Sequence, residues 1–179
     1  MRYRDGPSLG HMSDEHRTLV LLRHGKSGYP DGVDDHDRPL APRGIREAGL
    51  AGDWLREHLP DIDQVLCSTA TRTRQTCERT RITPPVRYVD ELYAAMPGTV
   101  IATINSVADD VRTLLVIGHE PAMSSVALGL AGAPGTDTAV AQRISEKFPT
   151  SAMAVLHVMG SWAGLELGTA ALVAFVVPR

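Results

Sequence analysis

Basic side chains that suit phosphate chemistry recur along this sequence, each time at or just after a short apolar run. Arg23 and His24 end the first run, the helix predicted after the second carries Arg72, and His119 follows the third. Arginine can grip two phosphate oxygens at once, and a neutral imidazole can attack phosphorus to form a phosphohistidine. A second imidazole, when protonated, donates to the charge that develops on the phosphoryl oxygens. These four residues therefore predict a site for phosphoryl transfer in which His24 and His119 have distinct roles and no metal is needed.

The apolar runs are short and unbroken, which is typical of strands that are buried on both faces. Helical patterns lie between them, so the sequence predicts one α/β domain, a three-layer α/β/α sandwich with a mostly parallel central sheet. In such sheets ligands bind beyond the carboxyl ends of the strands, where the four basic residues would meet. The predicted strands are 18–23, 64–68, 86–89, 113–117, 152–157 and 172–177, and the predicted helices are 42–59, 72–79, 99–109 and 121–130.

Local signals add detail to these elements. The helix 42–59 has an apolar stripe that is expected to face the sheet, formed by Ile45, Ala48, Leu55 and Leu59. Ser68 or Thr69 is expected to cap the helix 72–79. The stretch 133–148 is predicted to be irregular.

Length, charge and cysteine usage limit the class of function. A chain of 179 residues fits one domain, and a net charge of −3 argues against bulk electrostatic binding to nucleic acid. No apolar run reaches the roughly 18–20 residues of a membrane span. Two cysteines, Cys67 and Cys77, form neither a disulfide framework nor a zinc ligand set and fit a reducing cytoplasm. We interpret residues 1–12 as a vector-derived leader or a disordered tail, and 13–179 as a single domain.

Four motifs, in order along the chain, resemble those of the histidine phosphatase (phosphoglycerate mutase-like) superfamily. They are Leu21–Ser27 with its Arg-His-Gly, Arg38–Leu40 with Gly44, Ser68–Thr76, and Gly118–Pro121. Their spacing is similar to that of the small SixA-type phosphohistidine phosphatases, over about residues 18–178. The resemblance implies a phosphoglycerate mutase-like fold, with His24 as the nucleophile and Arg23, Arg72 and His119 completing the phosphate pocket.

Four further side chains are candidates for the same pocket. Arg38 is expected either to contact phosphate or to steady the pocket, and Lys26 to bind substrate. Mutase-type relatives carry a general-acid glutamate after the middle strand, but the position that aligns with it here is near Ala94, so that acid is absent. Glu120, directly after the second histidine, and Glu91, three residues before Ala94, are the candidate proton donors.

A missing strong acid favours a substrate whose leaving group departs easily. The imidazole of phosphohistidine can already be protonated near neutral pH, whereas an alkoxide depends far more on a donated proton. The chain is also too short for the inserted cap that encloses small sugars in mutases, so an open pocket can admit a protein side chain. The leading hypothesis is a cytoplasmic phosphatase, independent of metals and cofactors, that acts on phosphohistidine in proteins. A broad small-molecule phosphomonoesterase and a non-catalytic phospho-ligand binding module are the alternatives; neither nucleic acid nor membrane is an expected partner.

The loop 28–38 is rich in aspartate. Asp34, Asp35, His36 and Asp37 offer ligands from which a metal-dependent phosphatase site could be imagined. The acids are consecutive rather than spaced along one face of an element. We therefore interpret the loop as a solvated acidic rim of the pocket.

Overall fold

Strands and helices alternate along the chain in the computed structural model, which describes residues 16–179. The interpretation of residues 1–12 as a leader or tail lies outside the described residues. The strands are β1 (His16–Arg23), β2 (Gln64–Ser68), β3 (Val86–Val89), β4 (Thr113–Gly118), β5 (Met153–Met159) and β6 (Ala170–Val176). The helices are α1 (Pro42–His58), α2 (Thr71–Thr80), α3 (Pro97–Asn105), α4 (Ala122–Leu130) and α5 (Thr138–Glu146). Within this part of the chain, no helix has the length and apolarity needed to cross a membrane.

The six strands form one sheet in the order β3-β2-β4-β1-β5-β6. The pairs β1·β4, β2·β4 and β2·β3 are parallel, whereas β5 is antiparallel to both of its neighbours. Five of the six strands therefore run in the same direction, as the apolar pattern predicted. The carboxyl ends of β2, β4 and β1 consequently lie side by side at the middle of one sheet edge.

Helices cover both faces of this sheet, which confirms the predicted three layers. Alternate residues of β1 belong to different clusters: Leu19 and Leu21 pack on the face covered by α3, α4 and α5, and Val20 and Leu22 on the face covered by α1 and α2. All four side chains are fully buried. Burial of each such side chain stabilises the fold by about 1.5–3 kcal/mol.

One helix departs from the prediction that 133–148 is irregular. Residues 138–146 form α5, and the side chain of Asp137 caps it by accepting from the backbone N–H of Ala139 at 2.9 Å and of Val140 at 3.2 Å. Val140 and Ile144, four residues apart, are the buried positions of the helix. Two buried residues in nine give too weak a period to stand out from the Gly/Pro-containing segment before it.

Two local details also differ from the prediction. Ala70, rather than Ser68 or Thr69, is the N-cap residue of α2, and no side chain caps that helix. In α1 the predicted stripe is correct for Ala48, Leu55 and Leu59 but not for Ile45, which is 36 % exposed. Gly44 and Gly52 are buried as well. Small residues, together with Leu55, therefore form much of the face by which α1 contacts the rest of the fold.

Candidate active site

The segments that follow β1, β2 and β4 form a cavity at their shared sheet edge. The backbone N–H of His24 donates to the Gly118 carbonyl at 3.0 Å, which joins the turn after β1 to the end of β4. The cavity volume is about 220 Å³. Its lining consists of Arg23, His24, Lys26, Ser27, Tyr29, Arg38, Arg72, His119, Glu120 and Thr150. Seven of the eight side chains selected from the sequence therefore line one cavity, and Glu91 is the one that does not.

His24 is held as a neutral imidazole with a defined proton position. Burial, reinforced by the nearby His119, Arg72 and Arg23, lowers its pKa to about 3. Its Nδ1 lies 2.7 Å from the carbonyl oxygen of Gly25. Because a carbonyl can only accept, the proton of the neutral ring is on Nδ1. Nε2 therefore keeps a free electron pair, which is what a nucleophile needs.

The turn that carries His24 is fixed from neighbouring elements. The N–H of Gly25 donates to Thr76 Oγ1 of α2 at 2.9 Å. The N–H of Ser151, which precedes β5, donates to the carbonyls of Arg23 and His24 at 3.1 and 3.0 Å. A Cβ on Gly25 would come within 2.9 Å of the Gly44 carbonyl oxygen, so α1 also packs tightly on this turn.

His119 lies beside His24, with the ring centroids 5.1 Å apart. Burial first, and then the charge of Arg72, lower its pKa to about 4. Its Nε2 is 2.8 Å from Ser68 Oγ, whereas its Nδ1 is buried and has no hydrogen-bond partner among residues 16–179. Buried polar atoms are nearly always paired, so an unpaired nitrogen on a cavity-lining ring fits an anionic ligand. A bound dianion would raise this pKa and favour the protonated, donating ring.

Arg23 and Arg72 keep hydrogen-bond donors free. Arg23 donates from one terminal nitrogen to the Phe148 carbonyl at 2.8 Å. Arg72 donates from its two terminal nitrogens to the carbonyl oxygen and the Oδ2 of Asp35, at 2.7 and 3.1 Å. In both side chains Nε is buried without a partner within the described residues. Each guanidinium has five N–H donors, so both retain donors for an anion.

Arg38, in contrast, is largely occupied by the protein. It donates to Asp35 Oδ1 at 3.0 Å, to Ser27 Oγ at 2.6 Å and to the Gly28 carbonyl at 3.2 Å. Its guanidinium carbon also lies 4.2 Å from the centroid of the Tyr29 ring. The sequence left open whether Arg38 binds phosphate or stabilises the pocket, and these contacts favour a stabilising role.

Asp35 connects the acidic loop to the arginines of the pocket. Besides Arg38 and Arg72, it accepts a hydrogen bond from the Tyr93 hydroxyl at 2.6 Å. The bond from Tyr93, followed by those from the two arginines, holds the pKa of the Asp35 carboxyl well below its usual range. Asp35 is exposed, as the interpretation of the loop as a solvated rim predicts, but its carboxylate is also bound by three side chains, a role that this interpretation did not include. It remains apt for Asp34 and Asp37, which are exposed.

The two candidate proton donors lie in different surroundings. Glu120 lines the cavity, and its two oxygens accept from the N–H and the hydroxyl of Ser124, each at 2.7 Å, at the start of α4. Glu91 lies exposed in a short 3-10 turn, Asp90–Leu92, away from the cavity lining. Within residues 16–179, no three histidine, cysteine, aspartate or glutamate side chains are grouped so that they could hold a metal ion.

Five residues of the site were not selected from the sequence: Ser27, Tyr29 and Thr150, which line the cavity, and Asp35 and Tyr93, which bind its arginine side chains. The i,i+3 spacing of Asp35 and Arg38 was an available signal, since such neighbours can pair. Tyr93 follows β3, at the same sheet edge as the other strand ends, and its ring centroid lies 5.6 Å from that of His119. Thr150 precedes β5, and only the antiparallel direction of that strand brings its amino end to this edge.

A larger cavity, of about 440 Å³, lies at the other edge of the sheet, near the carboxyl ends of α1 and α2. Its lining includes Leu55, Leu59, Ile62 and Ile82 with Arg56 and Arg81, but no histidine. It therefore lacks a nucleophile of the kind that the sequence predicted, and the smaller cavity is the candidate active site.

Comparison with known proteins gives matches over most of the chain. The family model of the histidine phosphatase superfamily, branch 1, matches residues 19–99. An uncharacterised protein of Mycobacterium tuberculosis is 66% identical over 158 residues, which are 88% of this chain and 100% of that protein. A solved structure from Nakamurella multipartitia, described as a candidate phosphohistidine phosphatase SixA, is 40% identical with a TM-score of 0.83, covering 91% of this chain and 96% of its own. A structure of the protein histidine phosphatase SixA complexed with tungstate is 25% identical with a TM-score of 0.72, covering 90% of this chain and 97% of its own.

Proposed function

We propose that this chain, which belongs to the histidine phosphatase superfamily and is a phosphatase of the SixA type, hydrolyses phosphohistidine in proteins through a phosphorylated His24. The observation that carries the proposal is the state of His24: a buried neutral ring whose proton is bound to the Gly25 carbonyl, at a cavity lined by two arginines with free donors. Simple binding of a phosphate would need the arginines but not such a nucleophile.

The reaction has two displacements at phosphorus. In the first, the electron pair of His24 Nε2 forms a bond to phosphorus while the bond from phosphorus to the substrate nitrogen breaks. The departing imidazole, already protonated at its other nitrogen, keeps the electron pair of the broken bond and leaves as a neutral ring. In the second, the oxygen of a water molecule forms a bond to phosphorus while the bond from phosphorus to His24 Nε2 breaks. The electron pair of that bond returns to Nε2 and restores the free imidazole, and the water loses a proton to solvent or to the released phosphate. Two such steps replace one harder displacement.

Arg23, Arg72 and His119 neutralise the phosphoryl group in both steps. Positioning and charge stabilisation supply most of the catalysis in phosphoryl transfer. The free donors of the two guanidinium groups suit the equatorial oxygens, which carry the charge. His119 contributes as the dianion binds, because the charge of the dianion favours the protonated ring.

The choice of phosphohistidine as substrate is supported by the scarcity of acids at the cavity. Glu120 is the single carboxylate in its lining among the described residues, and Ser124 donates to both of its oxygens. A leaving imidazole is protonated near neutral pH and needs such a donor least. The related SixA structure was solved in complex with tungstate, an oxyanion, and this supports an anionic ligand for the present chain.

The test is a substrate panel run on the wild type and on His24→Ala. The panel contains a phosphohistidine protein, phosphoramidate and an alkyl phosphate. We expect wild-type turnover to be fastest on the first, to persist in EDTA and to be inhibited by vanadate, with an acid-labile phosphoenzyme. His24→Ala should lose at least about a thousandfold in kcat and form no phosphoenzyme.

His58→Ala is the matched control, because His58 lies exposed at the end of α1, outside the cavity. It should retain wild-type turnover. Full activity of His24→Ala would overturn the mechanism. Preference for the alkyl phosphate would instead assign the chain to general phosphomonoesterases.

A further inference from the structure

We propose that Asp35 is a positioning residue for phosphoryl transfer, which fixes the guanidinium of Arg72 in the orientation that receives the phosphoryl group. The inference rests on the proposed function, since it assigns the task of orienting one of the groups that bind phosphate. Asp35 does not line the cavity, so it would act through Arg72 rather than on the substrate.

The bonds between the two residues restrain the guanidinium at two points. One terminal nitrogen of Arg72 donates to the backbone carbonyl of Asp35 at 2.7 Å, and the other to its Oδ2 at 3.1 Å. A planar group held through two of its nitrogens can neither rotate about its long axis nor swing out of the cavity wall. The N–H groups that remain therefore have a fixed direction before any ligand arrives.

Tyr93 supports this arrangement from the turn after β3. Its hydroxyl donates to the same Oδ2 of Asp35 at 2.6 Å, and the Arg72 guanidinium carbon lies 5.9 Å from the centroid of its ring. Arg38 holds the other oxygen, Oδ1, at 3.0 Å. The carboxylate that restrains Arg72 is thus itself restrained by Tyr93 from another segment and by Arg38 from within its own loop.

Such a carboxylate has two opposite effects on an anion in the cavity. Its negative charge repels the anion, so loss of the charge alone would tighten anion binding. Its bonds orient Arg72, so loss of those bonds would weaken anion binding and slow the chemistry. Whether anion affinity falls or rises when the charge of Asp35 is removed therefore shows whether Asp35 orients Arg72 or is only an acidic residue beside the cavity.

The probe is tungstate, whose affinity is measured by titration calorimetry for the wild type, Asp35→Asn, Tyr93→Phe and Asp34→Asn. Asp34→Asn is the matched control, because Asp34 is a neighbouring exposed acid whose side chain makes no capping bond. We expect Asp35→Asn to bind tungstate about tenfold more weakly and to lose about ten- to a hundredfold in kcat on p-nitrophenyl phosphate. Tyr93→Phe should show the same changes to a smaller extent, and Asp34→Asn none beyond twofold.

Tighter or unchanged tungstate binding by Asp35→Asn, with the wild-type kcat, would overturn the inference. Thermal unfolding is recorded for each variant. If Asp35→Asn does not fold, the tungstate affinity and kcat of Tyr93→Phe test the inference instead, because this substitution removes one hydrogen bond to Asp35 and leaves the ion pair between Asp35 and Arg72. A wild type that binds tungstate but turns over no phosphorylated substrate would contradict the proposed function alone. The calorimetric comparison would then still test the orientation of Arg72.

Discussion

At the residue scale, the candidate site holds two neutral imidazoles beside guanidinium groups. The His24 and His119 rings lie 5.1 Å apart. Burial lowers their pKa values to about 3 and about 4, and the nearby arginines act in the same direction. Burial, assisted by nearby positive groups, thus keeps the proposed nucleophile unprotonated, and the same positive groups attract the dianion that the nucleophile would attack.

This arrangement predicts that the protein without ligand loses stability as the pH falls from 7 to 5. In the unfolded chain an imidazole takes up its proton near pH 6.5, whereas in the folded chain His24 and His119 stay neutral down to about pH 3 and 4. Between these values the unfolded state binds more protons, so acid favours unfolding. The loss should be about 2 kcal/mol per imidazole between pH 7 and 5.

Urea unfolding of the wild type and of His24→Asn at the two pH values measures this effect. Asparagine can still donate to the Gly25 carbonyl but cannot titrate, so the variant should lose about 2 kcal/mol less than the wild type. Equal losses in the two proteins would contradict the lowered pKa of His24. Ring resonances of His24 and His119 that stay constant between pH 8 and 5 would support it independently.

At the scale of elements, the glycines of α1 set how closely this helix approaches the site. A Cβ on Gly44 would lie 2.1 Å from the Lys26 carbonyl oxygen, and one on Gly52 would lie 2.1 Å from the Thr80 carbonyl oxygen. Gly49, on the same helix, has only an ordinary contact of 3.9 Å with the Arg79 carbonyl oxygen. The absence of a side chain at Gly44 thus lets α1 pack closely against the turn that carries His24, and its absence at Gly52 lets α1 pack closely against α2.

Replacing each of these glycines by alanine should therefore give three different results. Gly49→Ala should be stabilising by about 0.5–1 kcal/mol, because alanine is the better helix former. Gly52→Ala should destabilise the fold by about 1–3 kcal/mol through overpacking. Gly44→Ala should destabilise it similarly and also lower kcat, because it displaces the turn after His24. Chemical denaturation and turnover of p-nitrophenyl phosphate measure both effects, and full activity in Gly44→Ala would show that the turn tolerates the shift.

The strands were the elements that the sequence predicted best. Each of the six agrees with its prediction to within two residues at either end. Except in β3, which contains the exposed Arg87 and Tyr88, the reason is that an unbroken apolar run bounded by polar residues has few alternatives. Helices were predicted less well where their buried face is small. The short α5 has only Val140 and Ile144 buried, and α1 uses glycine where the pattern favoured Ile45.

The sequence predicted only those residues of the site that lie at or just after the ends of strands. Parallel strands present their carboxyl ends at one edge, which was enough to bring His24, Arg72 and His119 together. The contacts of Asp35 depend instead on how a loop folds back over α2, and no periodic pattern records that approach. Bonds between residues 35 and 93, which are distant in sequence, become evident only in the structure.

At the scale of the whole molecule, the distribution of acids matters more than the net charge of −3. The acidic groups outnumber the basic ones, yet Glu120 is the single carboxylate lining the cavity among the described residues. Asp35 is bound by three side chains, and Glu91 is exposed outside the cavity lining. The fold thus concentrates positive charge at the proposed phosphoryl site and leaves few acidic groups there that could protonate the leaving group.

We therefore expect the rate to depend steeply on the leaving group. For aryl phosphates, kcat/KM should fall as the pKa of the departing phenol rises, since little of the developing charge is neutralised by a donated proton. Glu120→Gln should lower turnover of an alkyl phosphate by about a hundredfold if Glu120 donates that proton, within the usual range for general acid catalysis. It should change turnover of a phosphohistidine protein by less than about threefold, because protonated imidazole leaves without help.

Glu91→Gln is the control for this comparison, because it removes a carboxylate of the same type outside the cavity lining, and it should leave both rates unchanged. An equal loss on both substrates in Glu120→Gln would mean that Glu120 orders the start of α4, through its two bonds to Ser124, rather than donating a proton. A shallow dependence on the leaving group in the wild type would mean that a donated proton does neutralise the departing oxygen. If the dependence stays shallow in Glu120→Gln, a group other than Glu120 supplies that proton. The preference for phosphohistidine would then have to arise from recognition of the protein that carries it, not from the chemistry at phosphorus.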